Sequence, residues 1–257
     1  AVMLEVMLLF GAGVLGGMMN AIAGGGSFIT FPALIAAGVP PISANATNTY
    51  ASCAGYISGA LGFRSELWAH RKLLPKVMLS SLLGGATGAW LLIQTSPKAF
   101  GTVIPWLLLF ATVLLIYGHR LQAALRDWFG HAAKASTLGM LAFSIALLVI
   151  STYGGFFNAG LGIILLGFLT LAGYTDVHVM NGIKLLVSAV VALLAITIFA
   201  SEHIIAWYQG SIVLVGTLLG GYAAAITAKW INPIWIRRLM ILIAGVTTTY
   251  FFAVSTG

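Results

Sequence analysis

The sequence predicts an all-α integral membrane protein built from two inverted-topology repeats, and three observations predict it. The first is composition. Of 257 residues, 60% are apolar and 7% are charged, against roughly 25% charged in a soluble domain. A chain this poor in charge cannot build a hydrated shell, whereas lipid asks for none. The second is a series of apolar runs long enough to cross hydrocarbon. The third is a self-match between the two halves.

A helix needs about 20 apolar residues to cross the bilayer. Eight runs qualify: 2–23, 42–63, 73–94, 101–119, 136–157, 179–200, 204–228 and 234–254. Two shorter runs, 27–37 and 161–173, each follow a long run at a Gly-rich junction. They read as re-entrant or broken helices, whose freed backbone groups must face protein or a water-filled cavity; whether they dip in and out or cross fully stays open. The hydrophilic stretch 119–135 divides an N-terminal repeat (1–118) from a C-terminal repeat (136–257) within one membrane domain. Residues 1–10 carry only Glu5 and no basic leader, so no cleaved signal peptide is expected there. The lone Cys53 leaves no internal disulfide and no multi-cysteine metal site.

The net charge of +7 does not indicate a nucleic-acid partner. The basic residues fall in short gaps between apolar runs: Arg64, Arg71, Lys72 and Lys76; Arg120, Arg126 and Lys134; Lys229, Arg237 and Arg238. Cationic gaps of this kind are the signature of cytoplasmic loops.

The halves align. At a shift of 138, Gly16, Gly17, Asn20, Ala21 and Gly24 fall on Gly154, Gly155, Asn158, Ala159 and Gly162. After a two-residue gap, placed in the loop with Pro40 and Pro41, Asn45 falls on Asn181, Ser52 on Ser188, Leu83-Gly84-Gly85 on Leu219-Gly220-Gly221, and Pro97 on Pro233. Such a self-match marks a duplicated unit. The first repeat is basic at 64–76, but the matching gap 201–208 holds Glu202 and His203 with no Lys or Arg, and the second repeat is basic instead at 229–238. The positive side has changed between matching loops, as it does when the second repeat is inserted upside down. Inversion requires three or five crossings per half. It places the 64–76 and 119–135 loops in the cytoplasm.

Polar groups in hydrocarbon are expensive and face cavities or one another. Here they gather in two places. One is the junction Asn20-Ala-Ile-Ala-Gly24-Gly25-Gly26-Ser27, echoed at Asn158 to Gly162. Three glycines break a helix, and the next helix then begins with free N–H groups that suit an anion. Close packing by small residues is the alternative, and it is the preferred one for Gly160 and Gly162. The other place is the start of the next long helix. There Asn45, Asn48 and Ser52 share one face by their i, i+3, i+7 spacing, with Thr47 beside them. The matching face carries Asn181, Lys184 and Ser188. Lys184 is the one Lys or Arg well inside an expected span. It either snorkels to an interface or awaits a negative partner. No carboxylate falls mid-span: Glu66, Asp127 and Glu202 lie in loops, Glu5 lies near a terminus, and Asp176 lies in the link before 179–200. A carboxylate proton relay or Na⁺ site therefore has little to use, with Asp176 and His178 as the residual possibility.

The stretches Ala23-Gly-Gly-Gly-Ser-Phe-Ile-Thr-Phe-Pro32-Ala-Leu, Gly38-Val-Pro-Pro41 and Ala44-Asn-Ala-Thr-Asn48 resemble the TauE/SafE sulfite-exporter family. The resemblance extends over nearly the whole chain, including the repeat and Lys184. It implies a multi-pass protein of the cell inner membrane that transports sulfite, a sulfonate or a related sulfur-containing anion.

Three functions compete. A secondary carrier or facilitator of a small anion fits an amide-rich, cationic site poor in carboxylates. An anion channel is the alternative. A membrane-embedded enzyme would need an acid–base or nucleophile set at membrane depth, and His70, His119, His131, His178 and His203 all lie in or beside loops. The expected partners are the small anion and the lipid bilayer, with no cofactor and no metal. The expected binding residues are Asn20, Gly24, Gly25, Gly26, Ser27, Asn45, Thr47, Asn48, Ser52, Asn158, Asn181, Lys184 and Ser188.

Overall fold

The computed structural model describes residues 2–129, 137–227 and 232–255. Among them the chain is a succession of eleven helices: α1 (Val2–Ala23), α2 (Ser27–Ala36), α3 (Pro41–Gly62), α4 (Arg64–Ala69), α5 (Leu74–Gln94), α6 (Pro97–Phe129), α7 (Thr137–Phe156), α8 (Leu161–Leu171), α9 (Val177–Ser201), α10 (Trp207–Thr227) and α11 (Pro233–Ser255). Helices are the expected solution, since a spanning segment must satisfy every backbone N–H and C=O within itself.

Six of these helices are long and apolar enough to cross a membrane, within α1, α5, α6, α7, α9 and α11. The expectation of eight crossings is therefore met at six. The runs 42–63 and 204–228 form α3 and α10, of 22 and 21 residues, which are not among the six. For α3 the reason is chemical. Asn45, Thr47, Asn48, Thr49 and Ser52 are all buried on it, so its polarity is spent inside the protein. The two short runs form α2 and α8, of 10 and 11 residues, roughly half a bilayer's length at 1.5 Å per residue.

The expected loop at 119–135 differs. Residues 119–129 continue α6 as helix, because Arg120-Leu-Gln-Ala-Ala-Leu-Arg126 is made of strong helix formers. Residues 130–136, with His131 and Lys134, lie outside the described residues, as does Lys229.

Packing pairs the two halves. α1 lies along α10 and α5 along α7; α3 meets α9; α5 also meets α9, and α10 meets α3; α6 meets both α11 and α8, and α11 also meets α2. Exchanging α1, α2, α3, α5 and α6 for α7, α8, α9, α10 and α11 maps these contacts onto one another. Small residues set the closest approaches, as in other membrane bundles. A side chain at Gly17 would lie 2.6 Å from the Cα of Thr217, and one at Gly216 would lie 2.8 Å from the Cα of Gly13. Along α5 and α7, Gly84 abuts Ser151, and Gly88 abuts Thr152 and Gly155.

The two Gly-rich junctions are not superimposable. α1 stays helical to Ala23, with Asn20 inside it, whereas α7 stops at Phe156 and leaves Asn158 in the break.

Candidate functional site

The junctions meet in the middle of the fold. Gly24 and Gly160 both adopt left-handed backbone, with φ of 79° and 84°, which reverses the chain between a long helix and a short one at little cost only for glycine. Gly24 then packs directly on Gly162: a side chain on Gly162 would lie 3.2 Å from the Cα of Gly24. The same position lies 3.5 Å from Cδ of Lys184. The Lys184 side chain therefore leaves α9 and runs against the point where the two breaks touch. It is 4% exposed. Among the described residues no hydrogen bond or ion pair reaches its ammonium.

The N-terminal ends of α2 and α8 lie at this meeting point. The caps of both, Gly26 and Gly160, offer no side-chain hydrogen bond. Phe28 N–H donates to Gly25 O at 3.1 Å and Ile29 N–H to Gly26 O at 3.0 Å, while the N–H groups of Gly25, Gly26 and Ser27 enter no hydrogen bond among the described residues. Each helix start carries a partial positive charge and unspent donors.

A polar lattice braces the cluster. Asn48 Nδ2 donates to Ser27 Oγ at 2.9 Å, and Asn48 Oδ1 accepts from Thr30 Oγ1 at 2.5 Å, so α3 grips the first turn of α2. Tyr56 OH donates to Asn158 Oδ1 at 3.1 Å, with Ser52 and Asn20 also against its hydroxyl. One tyrosine thus ties the first break to the second. Asn45, Asn48, Asn158, Ser52 and Ser188 are all buried; Asn20 and Asn181 are half-buried.

Several expected site residues are occupied elsewhere. Asn45 Nδ2 donates to Phe156 O at 2.7 Å, satisfying a carbonyl left unpaired at the end of α7. Thr47 is engaged by the link before α10. Its Oγ1 accepts from Ala206 N–H at 2.9 Å and, with the Ser43 hydroxyl on Ile204 O, holds the 202–206 link. Gly25 faces the Met240 methyl of α11, and Gly26 packs on the Gly16 carbonyl. Asp176 is a helix cap: it accepts from His178 N–H at 2.9 Å and Val179 N–H at 3.4 Å at the start of α9. Thr30 and Tyr56 were missed by sequence reasoning. Both were findable, Thr30 one turn beyond Ser27 and Tyr56 one turn beyond Ser52 on the same stripe. Gly162 packs on Gly24 and Lys184.

Among the described residues, Lys184, the starts of α2 and α8 and the buried amides of Asn48 and Asn158 thus lie together around the contact of the two breaks. Comparison with known proteins gives the class. Residues 9–251 match the family described as Sulfite exporter TauE/SafE. The chain is 29% identical to "Probable membrane transporter protein ORF9" of a Sinorhizobium species, over 88% of this chain and 86% of that one. It is 26% identical to "Probable membrane transporter protein" of Haemophilus influenzae, over 94% and 92%, and 27% identical to "Probable membrane transporter protein YfcA" of Escherichia coli K12, over 93% and 86%. No solved structure matches the chain.

Proposed function

The chain belongs to the Sulfite exporter TauE/SafE family, and from that premise we propose that it is a secondary carrier or facilitator of a small sulfur-containing anion such as sulfite or an organosulfonate, in the cell inner membrane. The observation that carries the reading is Lys184: a buried ammonium with no negative partner among the described residues, laid against the contact of Gly24 with Gly162. Burying an unpaired charge is costly, and a bound anion relieves that cost. The sulfonate and sulfite headgroups present three oxygens. One can face Lys184 while the others take N–H donors at the starts of α2 and α8, as phosphates do at helix N-termini. Asn48, Asn158 and Tyr56 hold the two breaks in register around it.

The carrier reading includes two repeats of opposite insertion. The exchange symmetry of the helix contacts and the change of the basic side between matching loops support it, and inverted repeats typically hold their substrate at the midplane between broken helices. The near-complete burial of Lys184 favours a carrier over an open pore.

The experiment is a thermal-shift screen of purified protein against sulfite, sulfate, thiosulfate, taurine, sulfoacetate and an aryl sulfonate. A ligand that binds the folded state raises the melting temperature by mass action. The expected result is stabilisation by at least one sulfite or sulfonate that increases with concentration, at constant ionic strength. If none of the six stabilises the protein beyond a chloride control, the sulfur-anion reading fails.

A further inference from the structure

We propose that Met240 of α11 limits the size of the substituent that the transported anion can carry, so that the protein favours sulfite and the smallest sulfonates over bulky ones. The inference rests on the anion site proposed above and adds the residue that sets its specificity.

The walls of the first break differ in kind. A side chain at Gly24 would meet backbone, 3.3 Å from the Cα and carbonyl carbon of Gly162 on α8. One at Gly26 would meet the Gly16 carbonyl of α1, with Asn20 Cβ at 2.9 Å. Ser27 is held on α3 by Asn48 at 2.9 Å. Backbone at close range yields only if whole helices part, because packed interiors leave no slack. At Gly25 the nearest neighbour is instead the terminal methyl of Met240, with Met240 Sδ at 3.8 Å and Phe28 Cδ2 at 3.7 Å from the place a side chain would take. An unbranched thioether adapts its shape where backbone cannot.

The fold fixes Met240 at this place. Thr247 Oγ1 of α11 donates to Phe28 O at 3.2 Å, and Phe251 stacks on Phe31 with ring centroids 5.6 Å apart. These two contacts set the register of α11 along α2. Met240 lies about two turns before Thr247, beside the start of α2, and is buried there.

The three oxygens of the headgroup take Lys184 and the N–H groups at the helix starts, so the fourth position on sulfur points away from them. In sulfite that position is a lone pair and needs no room. In methanesulfonate it is a methyl group, and in benzenesulfonate a ring. Of the neighbours of Gly24, Gly25 and Gly26, only the Met240 arm can move aside without parting two helices. Substituent bulk is therefore met at Met240, which gives way to a small group and resists a large one.

The test titrates the full chain, purified in one detergent, with sulfite, methanesulfonate and benzenesulfonate, and reads dissociation constants from the concentration dependence of melting. In the parent, affinity should fall along that series. In Met240→Ala the ratio of the benzenesulfonate constant to the sulfite constant should drop about tenfold or more, the scale on which a pocket discriminates one or two methylene groups. A general loss of packing moves both constants together and leaves the ratio alone. Met240→Leu keeps the core filled while withdrawing the terminal methyl, and should shift the ratio in the same direction by less. A parent that binds benzenesulfonate as tightly as sulfite overturns the assignment of Met240 and leaves the carrier reading standing. So does an unchanged ratio in Met240→Ala, or in Met240→Leu where alanine prevents folding. Stabilisation of the parent by none of the three anions overturns the anion site itself, and the role of Met240 with it.

Discussion

Two glycines of one helix separate packing from propensity. Gly11 and Gly17 both lie in α1, but a side chain at Gly11 would meet nothing within 4 Å, whereas one at Gly17 would lie 2.6 Å from the Cα and 2.8 Å from the carbonyl carbon of Thr217 on α10. Both partner atoms are backbone, so relief requires the two helices to part by roughly 1 Å, a displacement that forfeits much of the dispersion energy along the seam. Gly→Ala inside a helix gains about 0.8–1 kcal/mol from propensity. Overpacking costs about 1–3 kcal/mol, and more where backbone must move. Gly11→Ala should therefore be neutral or stabilising, and Gly17→Ala should be destabilising by a net 1–2 kcal/mol or so, about 2–8 °C in melting temperature for a chain of this size. Scanning fluorimetry of the detergent-solubilised proteins measures both. Equal melting temperatures for the two variants would refute the close α1–α10 contact.

Other consequences follow from the same contacts. Asp176→Ala removes the cap of α9 and should lower stability by about 1 kcal/mol without abolishing anion binding, measured by melting with and without sulfite; loss of binding would return Asp176 to the site. Asn48→Leu removes the Asn48 partner of the Ser27 hydroxyl and leaves Thr30 its bond to Gly26 O, and should weaken anion-induced stabilisation while costing about 1–3 kcal/mol of stability; unchanged stability would show that this bridge is not formed. In a Cys53→Ala background, cysteines introduced by Ser65→Cys and Ser201→Cys should label from opposite sides of the membrane. Labelling of both from the same side would exclude opposite insertion of the repeats.

The sequence made visible what is periodic or repeated. Helix positions followed from apolar run length, and the face joining Asn48 and Ser52 followed from i, i+4 spacing alone. The breaks near Gly24 and Gly160 were legible because glycine runs are rare inside helices. What escaped was set by contacts distant in sequence. Tyr56 reaches Asn158 across 102 residues and Thr47 meets Ala206 across 159, so nothing local distinguishes a threonine that faces the site from one that holds a link. The unequal breaks, with Asn20 inside α1 and Asn158 outside α7, escaped for the same reason: an alignment equates residue types, whereas each helix end is fixed by its own neighbours. The helical course of 119–129 was masked by its charge, which favours water but does not oppose helix.

The central claim is that the Lys184 ammonium contacts the transported anion, and the affinity of Lys184→Met tests it most directly. Attraction between unit charges at about 4 Å is worth roughly 4 kcal/mol at an effective dielectric of about 20, and after desolvation a charge-assisted hydrogen bond retains about 1.5–3 kcal/mol. Each 1.4 kcal/mol is tenfold in affinity. Methionine keeps the length and removes the charge, so the dissociation constant for the best-binding anion of the thermal-shift panel, measured by titration calorimetry, should rise tenfold or more while the folded protein is retained. An unchanged dissociation constant would contradict the account and leave the anion to helix ends and amides alone.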